Sequence, residues 1–116
     1  MKPRVLFIVT SDPRTTGKPA EAIRIAAGVG AWKKTDVSVY LRDAAVLVLG
    51  EDTVDLVNED NYARYLPMLG EAQRPLYVQK NNSALSDLGE SLVKFEPLSD
   101  PELAKLAAEH EYVLRF

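Results

Sequence analysis

Two polar segments of this chain carry side chains suited to holding an anion. The first is Ser11-Asp12-Pro13-Arg14-Thr15-Thr16-Gly17-Lys18-Pro19. It offers hydroxyls, two cations and the start of a helical pattern, where free N–H groups and the helix dipole favour negative charge. It is not a P-loop, because Gly17-Lys18 is followed by Pro19, and it has no Gly-x-Gly-x-x-Gly turn. Ser11, Arg14, Thr15 and Lys18 are therefore candidates for a small anionic or nucleotide ligand. The same residues equally suit a solvated strand-to-helix connection, which needs turn formers and hydroxyls in any case. The second segment is Gln79-Lys80-Asn81-Asn82-Ser83. If the strands preceding both segments are parallel, Lys80, Asn81 and Asn82 open on the same sheet edge as Arg14. The alternative is that the Asn pair supplies turn and cap geometry. Asp43 follows the second strand-like run and reads either as a ligand or partner contact or as a helix cap.

Other chemistries are poorly supplied. The chain has no cysteine, which removes disulfides, thiolate catalysis, persulfide carriage and Cys-ligated metals together. His110 is the single histidine, and neither a metal set nor a triad assembles around it. Its expected place is a helix C-terminus, where partial positive charge is favoured. Glu51, Asp52 and Asp55 lack the spacing of an EF-hand and read as a solvated acidic loop. No catalytic residue, metal site or cofactor is therefore assigned. A net charge of -3 gives no sign of a nucleic-acid partner. No apolar run approaches the ~18 residues of a membrane span, and the opening residues are too short for a signal peptide. The expectation is a cytoplasmic protein.

The elements that must position these residues are legible from periodicity. At 116 residues, 47% of them hydrophobic, the chain is expected to form one domain over 1–116 with a real core. Residues 4–10 form an apolar run without alternation, the pattern of a central parallel strand covered on both faces. A helix follows from Pro19, with Ala22, Ile25, Ala26 and Val29 as its stripe, ending near Trp32 or Lys33. Gly28 and Gly30 suggest close approach to the sheet. Residues 36–41 alternate, predicting a second strand nearer an edge. Residues 44–49 suit either a buried strand or a short helix. The helix is favoured, because two intervening residues cannot make a parallel crossover. Residues 61–71 read as a helix broken or kinked at Pro67. Residues 75–79 read as a strand, followed by a short helix through Leu85 and Leu88 that Gly89 would cap. Residues 91–96 predict a fourth strand. Ser99 and Glu102 form a capping box ahead of Leu103, Leu106 and Ala107 as a buried stripe. Residues 112–116 predict the last strand. The fold class is α/β: a three-layer α/β/α arrangement with a five-stranded, mainly parallel sheet.

In this order and spacing, four stretches resemble the DsrE/DsrF/DsrH-like sulfur-relay family, which includes the TusBCD and YchN-type proteins. They are residues 5–31, residues 39–49 (Val-Tyr-Leu-Arg-Asp-Ala-Ala-Val-Leu-Val-Leu), Pro75-Leu76-Tyr77-Val78 with its loop and helix to Gly89, and residues 103–116 ending Tyr-Val-Leu-Arg-Phe. The resemblance implies the same Rossmann-like fold and supports a helix at 44–49. In that family the loop after the third strand can carry a cysteine that accepts and passes on sulfur. The matching positions here are Gln79, Lys80, Asn81 and Asn82, and none is cysteine. The resemblance thus implies a non-catalytic accessory or binding subunit. It also implies a homo-oligomer, trimeric or hexameric, with other sulfur-relay proteins as partners. Trp32, Tyr62 and Tyr65 would supply an exposed apolar interface.

Overall fold

A computed structural model describes residues 3–31, 35–50, 55–70, 76–88, 90–91 and 93–116. Among them are five strands: β1 (Arg4–Val9), β2 (Asp36–Leu41), β3 (Leu76–Gln79), β4 (Phe95–Leu98) and β5 (Tyr112–Arg115). Three α-helices connect them: α1 (Lys18–Ala31), α2 (Glu59–Gly70) and α3 (Asp100–Ala108). Two 3₁₀ segments, Asp43–Leu49 and Ser83–Asp87, complete the order. The strands form one sheet in the order β4-β3-β2-β1-β5, and every pairing is parallel. All five carboxyl ends consequently lie on one edge.

β1 is flanked by β2 and β5, so its unbroken apolar run is covered as expected. The middle position, however, belongs to β2, which the alternating pattern had placed nearer an edge. The physical reason lies in two polar-tipped residues. Ser38 is buried, and its Oγ lies 3.1 Å from His110 Nε2. Tyr40 is wholly buried, and its hydroxyl accepts a hydrogen bond from Arg42 at 3.3 Å. Polar residues that find partners inside mimic a solvated face.

The two faces of the sheet differ. On one, Phe7, Val9, Val39, Leu41 and Val78 pack with α1, α2 and the first 3₁₀ segment in the main core. On the other, Leu6, Ile8 and Tyr40 meet Leu103, Leu106 and Ala107 of α3. α1 turns Ala20, Ala22, Ile23, Ala26 and Ala27 inward. Ile25 and Val29 are only half-buried, so the buried stripe is offset from the expected one. Small residues on this face let helix and sheet approach closely, but Gly28 is not part of that contact. A Cβ there would meet no atom, whereas one on Gly30 would lie 3.8 Å from Val37.

Residues 43–49 are helical as expected, in 3₁₀ form. α2 runs through Pro67 instead of ending there. The fourth strand lies later than residues 91–96; Ser91 makes only an isolated antiparallel bridge to Gly50. β4 is an edge strand and so tolerates Pro97. The Ser99 capping box forms as expected. Leu103, Leu106 and Ala107 face the sheet but none is fully buried. Trp32, Lys33, Glu51, Asp52, Pro75 and Gly89 lie outside the described residues. Asp55 is exposed. Tyr62 is completely buried in the main core, which corrects its expected place at an interface; Tyr65 is half-buried.

Candidate functional site

The carboxyl edge gathers the segments that follow β1, β2, β3 and β4. Register fixes their levels: Val9 pairs with Leu41, Leu41 with Val78, and Gln79 with Leu98. Thr10 and Arg42 are therefore level with Gln79 and Leu98, and Lys80 and Ser99 leave the sheet one residue further on. In open α/β sheets this edge is where ligands bind.

At its centre the loops after β2 and β3 are clasped. Gln79 Oε1 accepts from the Asp43 backbone N–H at 3.0 Å and from Asn82 Nδ2 at 3.1 Å. Asn82 Nδ2 also donates to the Asp43 carbonyl at 3.0 Å, and Asn82 Oδ1 accepts from the Ala84 N–H at 2.8 Å, capping the second 3₁₀ segment. The Asn82 amide thus serves both the cap and the clasp. Asp43 takes part through its backbone. It is not the cap: Arg42 stands at that position, and no side-chain cap bond is made. Asp43 and Asn81 both hold left-handed backbone, at φ 55° and 62°, a conformation Asp and Asn tolerate better than most residues. Asp43, Lys80 and Asn81 are exposed. Lys80 is tied to β4 by its backbone N–H, which donates to Leu98 O at 2.9 Å.

Arg42 bridges beyond β3. Its Nη1 donates to Asp100 Oδ1 at 2.9 Å, at the head of α3, and to the Tyr40 hydroxyl. Burial pushes the Tyr40 phenol up, partly countered by the Arg42 hydrogen bond. Neither Arg42 nor Asp100 stood out in the sequence. Their positions directly after β2 and at the first turn of α3 are the only local signal, and the pairing depends on strand order.

The first loop closes on itself. Arg14 donates to Asp12 from Nε at 3.0 Å, from Nη2 at 2.8 Å and from its backbone N–H at 2.9 Å. The Arg14 side chain, and then its backbone N–H, hold the Asp12 carboxyl below its usual range. Thr15 Oγ1 donates to Asp12 O at 3.4 Å, and Thr16 Oγ1 accepts from the Lys18 N–H at 3.3 Å. The Ser11 N–H donates to Phe116 O at 3.3 Å, and Pro13 O accepts from the Val57 N–H at 2.8 Å. Gly17 permits this packing, since a Cβ there would strike Asn58 Nδ2. The structure thus brings Asp43, Gln79 and Asn82 together and holds Ser11, Arg14, Thr15 and Lys18 as a separate turn. No hydrogen bond or ion pair joins the two groups among the described residues.

His110 follows α3, with Nδ1 donating to Leu106 O at 2.6 Å and Nε2 in hydrogen-bond contact with Ser38 Oγ at 3.1 Å. Both ring nitrogens are used in holding α3 to β2. Among the described residues no group of three acidic, histidine or cysteine side chains is placed to hold a metal, and no helix is long and apolar enough to cross a membrane.

Comparison with known proteins covers the whole fold. A family model described as the DsrE/DsrF-like family matches residues 3–116. The crystal structure of the ychN protein from E. coli superposes with a TM-score of 0.79, covering 100% of both chains at 18% identity. At that identity the likeness is one of fold. No curated protein matches the chain.

Proposed function

The chain belongs to the DsrE/DsrF-like family, a family related to sulfur-relay proteins, and from that membership we propose that it is a non-catalytic, oligomeric accessory or binding subunit. One observation carries the reading. At the loop after β3, where the resemblance places a sulfur-carrying cysteine, this chain has Gln79, Lys80, Asn81 and Asn82, and it has no cysteine elsewhere. Amide and ammonium side chains cannot hold a persulfide, because that needs a thiolate sulfur. Two of these four side chains, Gln79 and Asn82, are committed to the clasp with Asp43. What remains free is the exposed rim of Lys80, Asn81 and the Asp43 carboxylate, a surface suited to contact with a partner protein. The subunit would work in the cytoplasm beside sulfur-carrying relatives.

The second reading, a small anionic or nucleotide ligand at Ser11, Arg14, Thr15 and Lys18, must take Arg14 from a bidentate pairing with Asp12. Native and intact-mass spectrometry after incubation with polysulfide tests the first reading: a homo-oligomer with unchanged protomer mass is expected. A sulfur adduct on the protomer, or a strictly monomeric chain, overturns it. Thermal-shift titration with nucleotides and phosphate tests the second. No shift is expected; a saturable one that Arg14→Ala abolishes would favour the ligand site instead.

A further inference from the structure

We propose that β5 pairs antiparallel with β5 of a second copy of this chain, about a twofold axis at Val113, so that two sheets join into one. The inference rests on the oligomeric reading above and specifies one of its contacts.

The sheet has two edges, and they are built differently. β4 carries Glu96 and Pro97. Lys94 O and Leu98 O accept hydrogen bonds from β3, so by the period of two Pro97 stands where a strand offers its groups outward, and it has no N–H to offer. Charge and proline are the usual protections of an exposed edge. β5 has neither protection along its apolar centre. Tyr112, Val113 and Leu114 are 59%, 37% and 43% exposed, and no strand lies beyond β5 among the described residues. Its backbone is also set for pairing. The Phe116 N–H donates to Ile8 O, and Phe116 O accepts from Thr10. Phe116 and, two residues back, Leu114 therefore turn their polar groups to β1, leaving those of Val113 and Arg115 directed outward.

The sequence of this edge is complementary to its own reverse. With Val113 opposite Val113 of the second copy, Glu111 stands opposite Arg115, and Tyr112 opposite Leu114. Within β5 the faces agree: Val113 pairs in register with Leu6 and Tyr112 with Val5, so residues 113 and 115 share one face and 112 and 114 the other; Glu111 stands just before the strand, where its backbone N–H donates to Arg4 O at 3.0 Å. The twofold generates two Glu–Arg pairs and two Tyr–Leu pairs, and directly opposed pairs of these kinds stabilise antiparallel ladders. Arg115 has no ion-pair partner among the described residues. One Glu111 oxygen accepts from the Arg4 N–H at 2.7 Å, which fixes the carboxylate and leaves its second oxygen to face a cation. A ladder of five residues is smaller than the roughly 1,200 Å² of a stable interface, so it belongs within a larger assembly.

Because the chain has no cysteine, single thiols test this cleanly. Across the axis, Val113→Cys would face itself at a Cα separation of about 5.5 Å, within disulfide reach. Leu114→Cys would meet its own copy only across a two-residue offset, beyond the roughly 7 Å limit. Mild oxidation is expected to convert Val113→Cys to a covalent dimer and to leave Leu114→Cys largely monomeric on denaturing gels. By native mass spectrometry, Arg115→Glu is expected to halve the assembly mass, and adding Glu111→Arg to restore it. If Arg115→Glu fails to fold, the cysteine pair decides. An oligomer in which Val113→Cys stays reduced overturns the strand pairing alone. A monomeric wild-type chain without cross-linking overturns the oligomeric reading with it.

Discussion

Tyr62 presents its hydroxyl to the main core with no hydrogen-bond partner among the described residues. Burial pushes its phenol well up, with no countering interaction. A buried hydroxyl without a partner costs on the order of 1–3 kcal/mol, while the ring contributes apolar contact. Tyr62→Phe removes the cost and keeps the ring. It is expected to leave stability unchanged or raise it by about 1 kcal/mol, as read from the midpoint of urea unfolding. A loss would mean that the hydroxyl has a partner in solution. This residue was legible only in part. Its helical spacing with Tyr65, Leu66 and Leu69 marks a face of α2, but periodicity does not say whether that face meets the sheet or another protein. Ser38 is the converse case. Its burial depends on His110, 72 residues away, and no local pattern encodes that partner. The clasp was closer to legible: a parallel sheet must bring Asp43 and Gln79–Asn82 to one edge. Which atoms meet there follows from the left-handed turns at Asp43 and Asn81, and the sequence does not specify those.

At the scale of elements, helix ends and helix faces make separable contributions. Ser99 Oγ accepts from the Glu102 N–H at 3.3 Å, and Glu102 Oε1 accepts from the Ser99 N–H at 3.0 Å. Ser99→Ala is expected to cost about 1 kcal/mol, measured by chemical denaturation. The Ser99 backbone N–H holds the Glu102 carboxyl below its usual range. A carboxyl depressed on folding stabilises the native state above its unfolded value of about 4.3 and loses that contribution as pH falls through the folded value. The stability difference between wild type and Glu102→Gln should therefore shrink toward zero as pH drops below about 4. Gly28 gives the opposite sign. It is exposed on α1 with open space around its missing Cβ, so Gly28→Ala is expected to stabilise the protein by about 0.5–1 kcal/mol. A neutral or destabilising result would place something against that face. The capping box was fully readable because all its chemistry lies within four residues. The glycine's role was not, since helix-to-sheet distance is a tertiary quantity.

Over the whole molecule, the two sheet faces differ in how firmly they are closed. α1 contributes five buried residues to the main core, while α3 has no buried residue. The α3 face is held by Leu103, Leu106 and Ala107 on a cluster of Leu6, Ile8 and Tyr40, by Arg42 to Asp100, and by His110 to Ser38. Few buried contacts on exposed backbone mark a segment that opens before the rest unfolds. Amide exchange should accordingly be faster in α3 than in α1, with β1 and β2 slowest of all, because β1 and β2 are interior strands with a run of four buried residues each. The comparison has a further arm. β5 follows α3 in sequence and pairs with β1. If β5 is an inner strand of a paired sheet, the outward amides of Val113 and Arg115 should be protected at high protein concentration and lose that protection on dilution. α3, which lies outside that ladder, should show no such dependence. Equal protection of α1 and α3 would mean that the hydrogen bonds at the two ends of α3 compensate for its shallow packing. Replacing His110 by Ala would then identify which end carries that stability.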